Sequence, residues 1–249
     1  MTAGHMPVLL AALLLAGCAT GAGENKVSDK DAARYNTQLG ISYLQRNDLE
    51  SAREKLERAA EQDPTLAEAH AALGLLYERV GETARAGTHL QRAARLAPDD
   101  PNMLNNYGGF LCRRGERSEG IRYFERAAKN AYYRTPSTAL TNAAVCARGI
   151  PDLDKAEQYL RLALQQNPTH AEALLQMADL SVEKGEPMQA RAFLQRYEAV
   201  GPVTPASLWL GRQTEQLAGD QGAARDYGRR LKESFPESAE ARRLGRDSG

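Results

Sequence analysis

The feature that most constrains this chain is a set of small residues and prolines that recurs every 34 residues. A glycine, an alanine and a proline each recur with this spacing, and prolines recur with the same spacing again in the C-terminal part of the chain. The residues are Gly40, Gly74 and Gly108; Ala59, Ala93 and Ala127; Pro64 and Pro98; and Pro168, Pro202 and Pro236. A period of this length predicts stacked helical pairs, because one pair cannot bury its apolar face alone. Small residues let two antiparallel helices approach closely, and proline ends the second helix because it lacks an N–H.

Composition points to an almost wholly α-helical protein. The strong helix formers Ala, Leu, Glu, Gln and Arg dominate, and aromatic residues make up only 6% of the chain. Apolar residues recur at i, i+3 and i+4, which is the helical spacing. The 32 basic and 32 acidic residues cancel, and no basic patch stands out, so we expect no nucleic-acid partner.

The repeated positions resemble the tetratricopeptide repeat (TPR). The first unit carries the signature residues Leu39, Gly40, Tyr43, Ala52, Leu56, Ala59 and Pro64, and the second unit repeats them. The resemblance implies an all-α, right-handed TPR superhelix, an α-solenoid, of about six helix-turn-helix units. We place the units at residues 33–66, 67–100, 101–134, 137–170, 171–204 and 205–238 of a domain spanning 33–249. The step from Ala127 to Ala163 is 36 residues, so two extra residues enter near 130–137.

A short apolar run precedes this domain. Residues 8–16 are too few to cross a membrane, which takes about 20, and they suit a secretory signal. Leu15-Ala16-Gly17-Cys18 resembles the lipobox of bacterial lipoproteins, although the leader has no Lys or Arg before the run. The resemblance implies a signal peptide at 1–17, lipid on Cys18 and a flexible tether at 18–32. The alternative is an ordinary cleaved signal with a chance cysteine. Ala19, rather than Asp, after the cysteine implies the outer membrane.

TPR geometry implies a concave groove lined by the first helix of each unit. The second, fifth, ninth and twelfth positions point inward, which in unit one selects Arg34, Thr37, Ile41 and Leu44, and in unit four Thr138, Thr141, Val145 and Arg148. Ile41 and Leu44 have no obvious internal partner. An amphipathic or extended peptide could lie on them; alternatively, the N-terminal tether or the leading turn of the repeat covers them. We include Leu75 of unit two in the groove.

Unit three carries an unusual stretch, NNYGGFLCRRGE, at residues 105–116. Paired asparagines and glycines are costly inside a helix. We expect Asn102, Asn105 and Arg113 to contact a partner in the groove. The alternative, close packing around Gly108 with solvated asparagines, stays open.

Cys112 and Cys146 remain once Cys18 is lipidated. Both lie late in the first helices of adjacent units, so a disulfide is possible in an oxidising compartment. Their repeat positions differ by two, so their Cα separation could exceed the limit of about 7 Å. The alternative is two buried free thiols.

We find no catalytic, metal or cofactor site in the sequence. His5, His70, His89 and His170 are scattered, and none pairs with Glu or Cys at metal-ligand spacing. No phosphate-binding loop or nucleophile elbow occurs. We therefore expect a binding protein rather than an enzyme, with no small-molecule substrate.

The lipobox, the polar tether and the six units together resemble the PilW/PilF family of type IV pilus biogenesis lipoproteins. The specific segments are 105–116, NAAVCARG at 142–149 and AEALLQMADLSVEKGE at 171–186. The resemblance implies a pilotin, lipid-anchored at the periplasmic face of the outer membrane, that binds the secretin subunit and promotes its multimerisation. The alternative is a TPR lipoprotein adaptor in envelope assembly, for outer-membrane protein insertion or peptidoglycan enzymes.

Overall fold

The computed structural model describes residue 1, residues 28–150 and residues 153–246, and in that part of the chain every regular element is a helix. Six antiparallel pairs stack in chain order and a short thirteenth helix follows them. The helices are α1 Asp29–Gln45, α2 Leu49–Gln62, α3 Ala67–Arg79, α4 Thr83–Leu96, α5 Pro101–Arg113, α6 Arg117–Lys129, α7 Pro136–Ala147, α8 Leu153–Gln166, α9 Ala171–Glu183, α10 Pro187–Glu198, α11 Pro205–Leu217, α12 Gln221–Ser234 and α13 Ala239–Arg246.

The helix boundaries follow from local chemistry. Asp100 caps α5 by accepting from the N–H groups of Asn102 and Met103, and Pro101 takes the first helical position, where no N–H is needed. The turn after the first helix requires a positive φ in five pairs. Asn47 (φ 61°) and glycines such as Gly81 (φ 80°) supply it, because Gly and Asn tolerate the left-handed region.

Within each of the first three pairs, a glycine of the first helix faces a large residue of the second. A Cβ on Gly40 would lie 2.5 Å from Cγ of Leu56, and Gly74 faces Leu90 in the same way. The two helices therefore pack at a distance that only glycine allows at this position. The third pair approaches even more closely, because Gly108 also meets the backbone oxygen of Gly120.

Buried apolar side chains form a core that runs along the array in two large parts. The N-terminal core cluster spans α2 to α5 and consists of Ala52, Leu56, Ala72, Leu73, Leu76, Tyr77, Ala86, Leu90, Ala94, Tyr107, Phe110 and Leu111. A second cluster extends from Ile121 of α6 to Leu210 of α11. The units thus share their core with their neighbours, as a solenoid requires.

Arginines on the second helices brace neighbouring units on the outer side. Each donates to the carbonyl oxygen of the proline that closes the preceding unit: Arg92 to Pro64 (2.9 Å), Arg126 to Pro98 (2.9 Å) and Arg196 to Pro168 (3.0 Å). In the fourth unit this repeat position holds Leu162, which is exposed, and no closing proline stands opposite. That junction therefore lacks the brace among the described residues.

Two boundaries bear on the sequence analysis. Helix α1 begins at Asp29, four residues before the predicted domain start at 33, because Ser28 caps it by accepting from the N–H of Asp31. The predicted tether at 18–32 is therefore too long at its C-terminal end. The connection between α6 and α7 spans 130–135, against 97–100 and 167–170 in the neighbouring units, and its two additional residues account for the longer step there.

Cys112 of α5 and Cys146 of α7 form a disulfide, with their Cα atoms 5.7 Å apart. Their repeat positions differ by two, yet the distance lies inside the limit of about 7 Å. The side of a first helix that faces the next unit carries different repeat positions from the side that faces the preceding unit. Two residues that meet across a junction therefore need not occupy the same repeat position. The disulfide joins the two units whose outer brace is missing.

The signal peptide, Cys18 and most of the tether lie outside the described residues. Among those that the structure describes, none of the helices combines the length and the apolar character that a membrane span requires.

Substituting Gly120→Ala tests the close approach in the third pair. The new Cβ would lie 2.7 Å from the backbone oxygen of Gly108 and 3.1 Å from the backbone nitrogen of Cys112, so α5 and α6 must separate. We expect a loss of about 1–3 kcal/mol in stability, measured by the thermal unfolding midpoint. Gly245→Ala is the control, because its Cβ meets no atom within 4 Å. Equal midpoints for Gly120→Ala and the wild type would contradict the packing.

Removing the disulfide tests its contribution to the fold. The bond closes a segment with a sequence separation of 34, so the double variant Cys112→Ser/Cys146→Ser should lose about 3–4 kcal/mol of unfolding free energy. Urea unfolding followed by circular dichroism measures the change. A phosphine reductant should destabilise the wild type and leave the double variant unaffected. If oxidised and reduced wild type unfold at the same urea concentration, the bond is absent or contributes nothing.

Candidate functional site: the inner groove

The first helices of units two to four together line a hollow on the inner side of the array, which we call the central cavity. Its volume is about 220 Å³, and its lining residues are Leu75 of α3, Asn105, Asn106, Gly109, Cys112 and Arg113 of α5, Phe124 of α6, and Asn142 and Val145 of α7. Apolar side chains stand at its two ends and amides between them. Leu75 is 38% exposed and Val145 is 46% exposed, so both are available to a partner.

A second hollow extends the groove toward the N-terminus. It measures about 310 Å³ and is lined by Leu44, Gln45, Leu75 and Arg79. Both hollows are lined by Leu75, so they adjoin each other along the inner side between α1 and α7. Arg79 donates to the backbone oxygen of Leu44 at 2.6 Å and so ties α3 to α1 at this end.

Two asparagines bridge α5 and α7 inside the central cavity. The side-chain nitrogen of Asn142 donates to the side-chain oxygen of Asn105 at 3.0 Å. That bond leaves the amide N–H donors of Asn105 and the amide oxygen of Asn142 without another partner in the described part of the chain. Asn106 adds a third amide to the lining. A set of donors and acceptors of this kind matches the alternating N–H and C=O groups of an extended peptide.

Arg113 crosses the inner surface from α5 to α3. Its Nε and Nη2 atoms donate to the two carboxylate oxygens of Glu78 at 3.0 and 2.7 Å, which is bidentate geometry. Gly109 provides the space, since a Cβ there would lie 3.2 Å from Nη1 of Arg113. The Arg113 side chain is 59% exposed, so the pair adds little stability. Its effect is to orient the guanidinium along the groove.

Arg148 makes the corresponding link to the next unit. It donates to Asp179 at 2.6 Å, to Glu183 at 2.7 Å and to Gln176 at 3.1 Å, and so joins the end of α7 to α9. Burial opposes the charge of Arg148, but the two carboxylates outweigh it and raise its pKa. Together with Arg79, Arg113 and the disulfide, this contact connects every successive first helix from α1 to α9.

Four of the six predicted groove residues line these hollows. Leu75, Asn105 and Arg113 lie in the central cavity, and Leu44 lies in the second hollow. Asn102 is exposed at the start of α5 and lines neither. Ile41 and Leu44, for which no internal partner was expected, both pack partly against the N-terminal core cluster, because the second unit reaches under α1.

The inward positions expected from TPR geometry need one correction. Thr37, Ala71 and Thr141, at the fifth position of their units, are buried, and Thr141 donates to the backbone oxygen of Ser137. Small side chains at this position are covered by the neighbouring helices. The sequence reasoning missed Asn142, although a signal was present. Residues 106, 142 and 176 occupy the same repeat position, the sixth, and all three are amides.

The histidines are less scattered than the sequence indicated. Nδ1 of His70 and Nδ1 of His89 lie 3.0 Å apart, and Nε2 of His70 contacts the backbone oxygen of Pro64 at 3.0 Å. A carbonyl only accepts, so His70 donates from Nε2 and accepts from His89. Burial lowers the pKa of His70, and burial with the neighbouring His70 lowers that of His89 to about 4. The pair is thus neutral at pH 7.

No group of three or more His, Cys, Asp or Glu side chains among the described residues could hold a metal ion. The inner groove instead offers apolar contacts, amides and oriented guanidinium groups. These are the types of group by which grooves recognise peptides.

Comparison with known proteins agrees with this architecture. Tetratricopeptide repeat family profiles match residues 40–81, 67–100, 111–171 and 152–209. The chain is 33% identical over 246 residues to the type IV pilus assembly protein PilF of Pseudomonas aeruginosa, covering 96% of this chain and 97% of that protein.

Two solved structures resemble it closely. The crystal structure of PilW, described as a widely conserved type IV pilus biogenesis factor, superimposes with a TM-score of 0.79 at 27% identity and covers 85% of this chain and 97% of PilW. A structure of Pseudomonas aeruginosa PilF gives a TM-score of 0.75 at 29% identity, with coverage of 88% and 99%. The predicted all-α TPR solenoid is therefore confirmed, and the chain belongs to the PilF/PilW family of type IV pilus TPR proteins.

Proposed function

We propose that this protein is a pilotin, a lipoprotein that binds the secretin subunit of the type IV pilus in the periplasm. It helps the subunit reach the outer membrane and assemble into a multimeric ring, which supports pilus assembly and twitching motility. Membership of a type IV pilus biogenesis family supports the pilus assignment. The steps that involve the secretin, the outer membrane and the lipid are our proposal.

The observation that carries the binding step is the central cavity. Leu75 and Val145 are exposed apolar side chains on helices two units apart, with the Asn105–Asn142 pair between them. An extended segment of the secretin would place apolar side chains on Leu75 and Val145. Its backbone would meet the amides, which supply both donors and acceptors.

The links between first helices suit this role. The Arg79, Arg113, disulfide and Arg148 contacts hold α1 to α9 in one arrangement before a client arrives. A preformed groove loses less conformational freedom on binding, so more of the contact energy remains as affinity.

The lipid anchor supplies the second part of the mechanism. Cys18 lies outside the described residues, and its modification rests on the lipobox resemblance. An acyl anchor with more than one chain holds a protein stably at a bilayer. Tethering then raises the effective concentration of the bound secretin subunit at the membrane where the ring assembles.

Cys18→Ala tests the anchor. In a strain that lacks this protein, the wild type should restore the heat-resistant secretin multimer. Cys18→Ala should leave it severalfold reduced or in the inner membrane, because the lipid that directs the complex is missing. Membrane fractionation and immunoblotting measure both. Thr20→Ala, which changes the tether but keeps the cysteine, is the control. If deleting the protein leaves the multimer unchanged, the pilotin proposal fails and the envelope adaptor becomes the better interpretation.

Val145→Glu tests the central cavity. A carboxylate at position 145 would lose its hydration beneath an apolar side chain of the secretin, so the affinity for the purified periplasmic part of the secretin should fall about tenfold or more. Fluorescence anisotropy measures it. Leu162→Glu is a matched control, because Leu162 is 44% exposed on α8 and lines none of the groove. Equal losses in the two variants, or none in Val145→Glu, would place the contact elsewhere.

A further inference from the structure

The sixth pair reverses the arrangement found in the first three pairs. The position that holds Gly74 in unit two holds Arg212 in unit six, and the position that holds Leu90 holds Gly228. The two still face each other, since a Cβ on Gly228 would lie 3.8 Å from Cδ of Arg212. A long cationic side chain on the first helix therefore meets a glycine on the second.

The reversal arises because the close contact moves by one residue. In α11 the small residue is Gly211, one place early, and it faces Tyr227 of α12 in place of Gly228. Tyr227 fills the space and donates to Glu198 at 2.8 Å. Arg212 and Gly228 both line a cleft at the C-terminal end of the array.

This C-terminal cleft has a volume of about 600 Å³. It is lined by Arg212 and Gln216 of α11, Gln221, Ala224, Arg225, Gly228, Arg229, Lys232 and Glu233 of α12, and Leu244 of α13. It lies at the opposite end of the solenoid from the second hollow, which Leu44 and Arg79 line. It shares no lining residue with either hollow of the inner groove.

Among the described residues that line the cleft, four carry a positive charge and one, Glu233, carries a negative charge. Arg229 pairs with Glu233. Arg229 also contacts Asp226. Arg225 and Lys232 make no ion pair with any residue that the structure describes. They are seven residues apart on one helix, so their Cα atoms lie about 10 Å apart along the helix axis.

We propose that the C-terminal cleft binds an acidic peptide segment of a partner protein. Arg225 and Lys232 would pair with carboxylates of the segment, while Gln216 and Gln221 offer both donors and acceptors to its backbone. Ala224, Gly228 and Leu244 give the cleft an apolar part that suits a side chain between the acidic ones. A peptide segment can use the cations, the two amides and the apolar residues of the cleft together, so a peptide is the better fit.

The test uses a labelled acidic decapeptide of glutamate and leucine and, for comparison, a decapeptide of lysine and leucine. The purified protein should bind the acidic peptide, with an affinity that falls as salt rises, and should not bind the basic one. The double variant Arg225→Glu/Lys232→Glu should weaken binding at least about tenfold, because it reverses both charges. Arg225→Gln/Lys232→Gln should weaken it less.

The matched control is Arg122→Glu/Lys129→Glu. These residues are also seven apart on one helix, α6, are exposed, and change the net charge equally. Val145→Glu, which alters the inner groove, should bind the acidic peptide normally. The proposal is overturned if the α6 control weakens binding as much as the cleft variant. It is also overturned if phosphatidylglycerol vesicles, and not the peptide, depend on Arg225 and Lys232.

Discussion

The structure depends on one contact, the approach of a small residue on each first helix to a large residue on its partner. Gly40 against Leu56 and Gly74 against Leu90 set the distance between the two helices of a pair. That distance fixes the thickness of the unit, and the thickness fixes how the next unit can stack. Where the contact is displaced by one residue, at Gly211 and Tyr227, a cleft lies beside the pair. A single repeat position thus governs both the regular part of the array and its exception.

A second set of contacts runs across the units on the inner side. Arg113 and Arg148 reach toward opposite neighbours, the first back to α3 and the second forward to α9. Between them lies the disulfide. The direction of the links therefore changes at the junction of units three and four, where the central cavity is found. Exposed ion pairs contribute little to stability one by one, yet here they orient side chains along a surface that has to remain open.

The 34-residue period was sufficient to predict the helical pairs, because each close contact leaves a Gly or Ala at the same place. The two extra residues near 130–137 were visible as a change in step. The groove was predicted only in part. Ile41 and Leu44 looked unpartnered because the sequence does not reveal how far the core of unit two extends beneath α1. Asn142 was missed because four inward positions were assumed, whereas the sixth also faces the groove. The displaced glycine, Gly211, was visible in the sequence, but the cleft that Arg212 and Gly228 line depends on how α11, α12 and α13 pack together.

The missing outer brace at Leu162 has a mechanical consequence. At three other junctions an arginine of a second helix donates to the proline that closes the preceding unit. At the third junction a covalent bond on the inner side takes over that task. Oxidation therefore adds a covalent link between units three and four at the middle of the groove. In a chain with Cys112 and Cys146 reduced, noncovalent contacts such as the packing of α6 against α7 would hold these two units together.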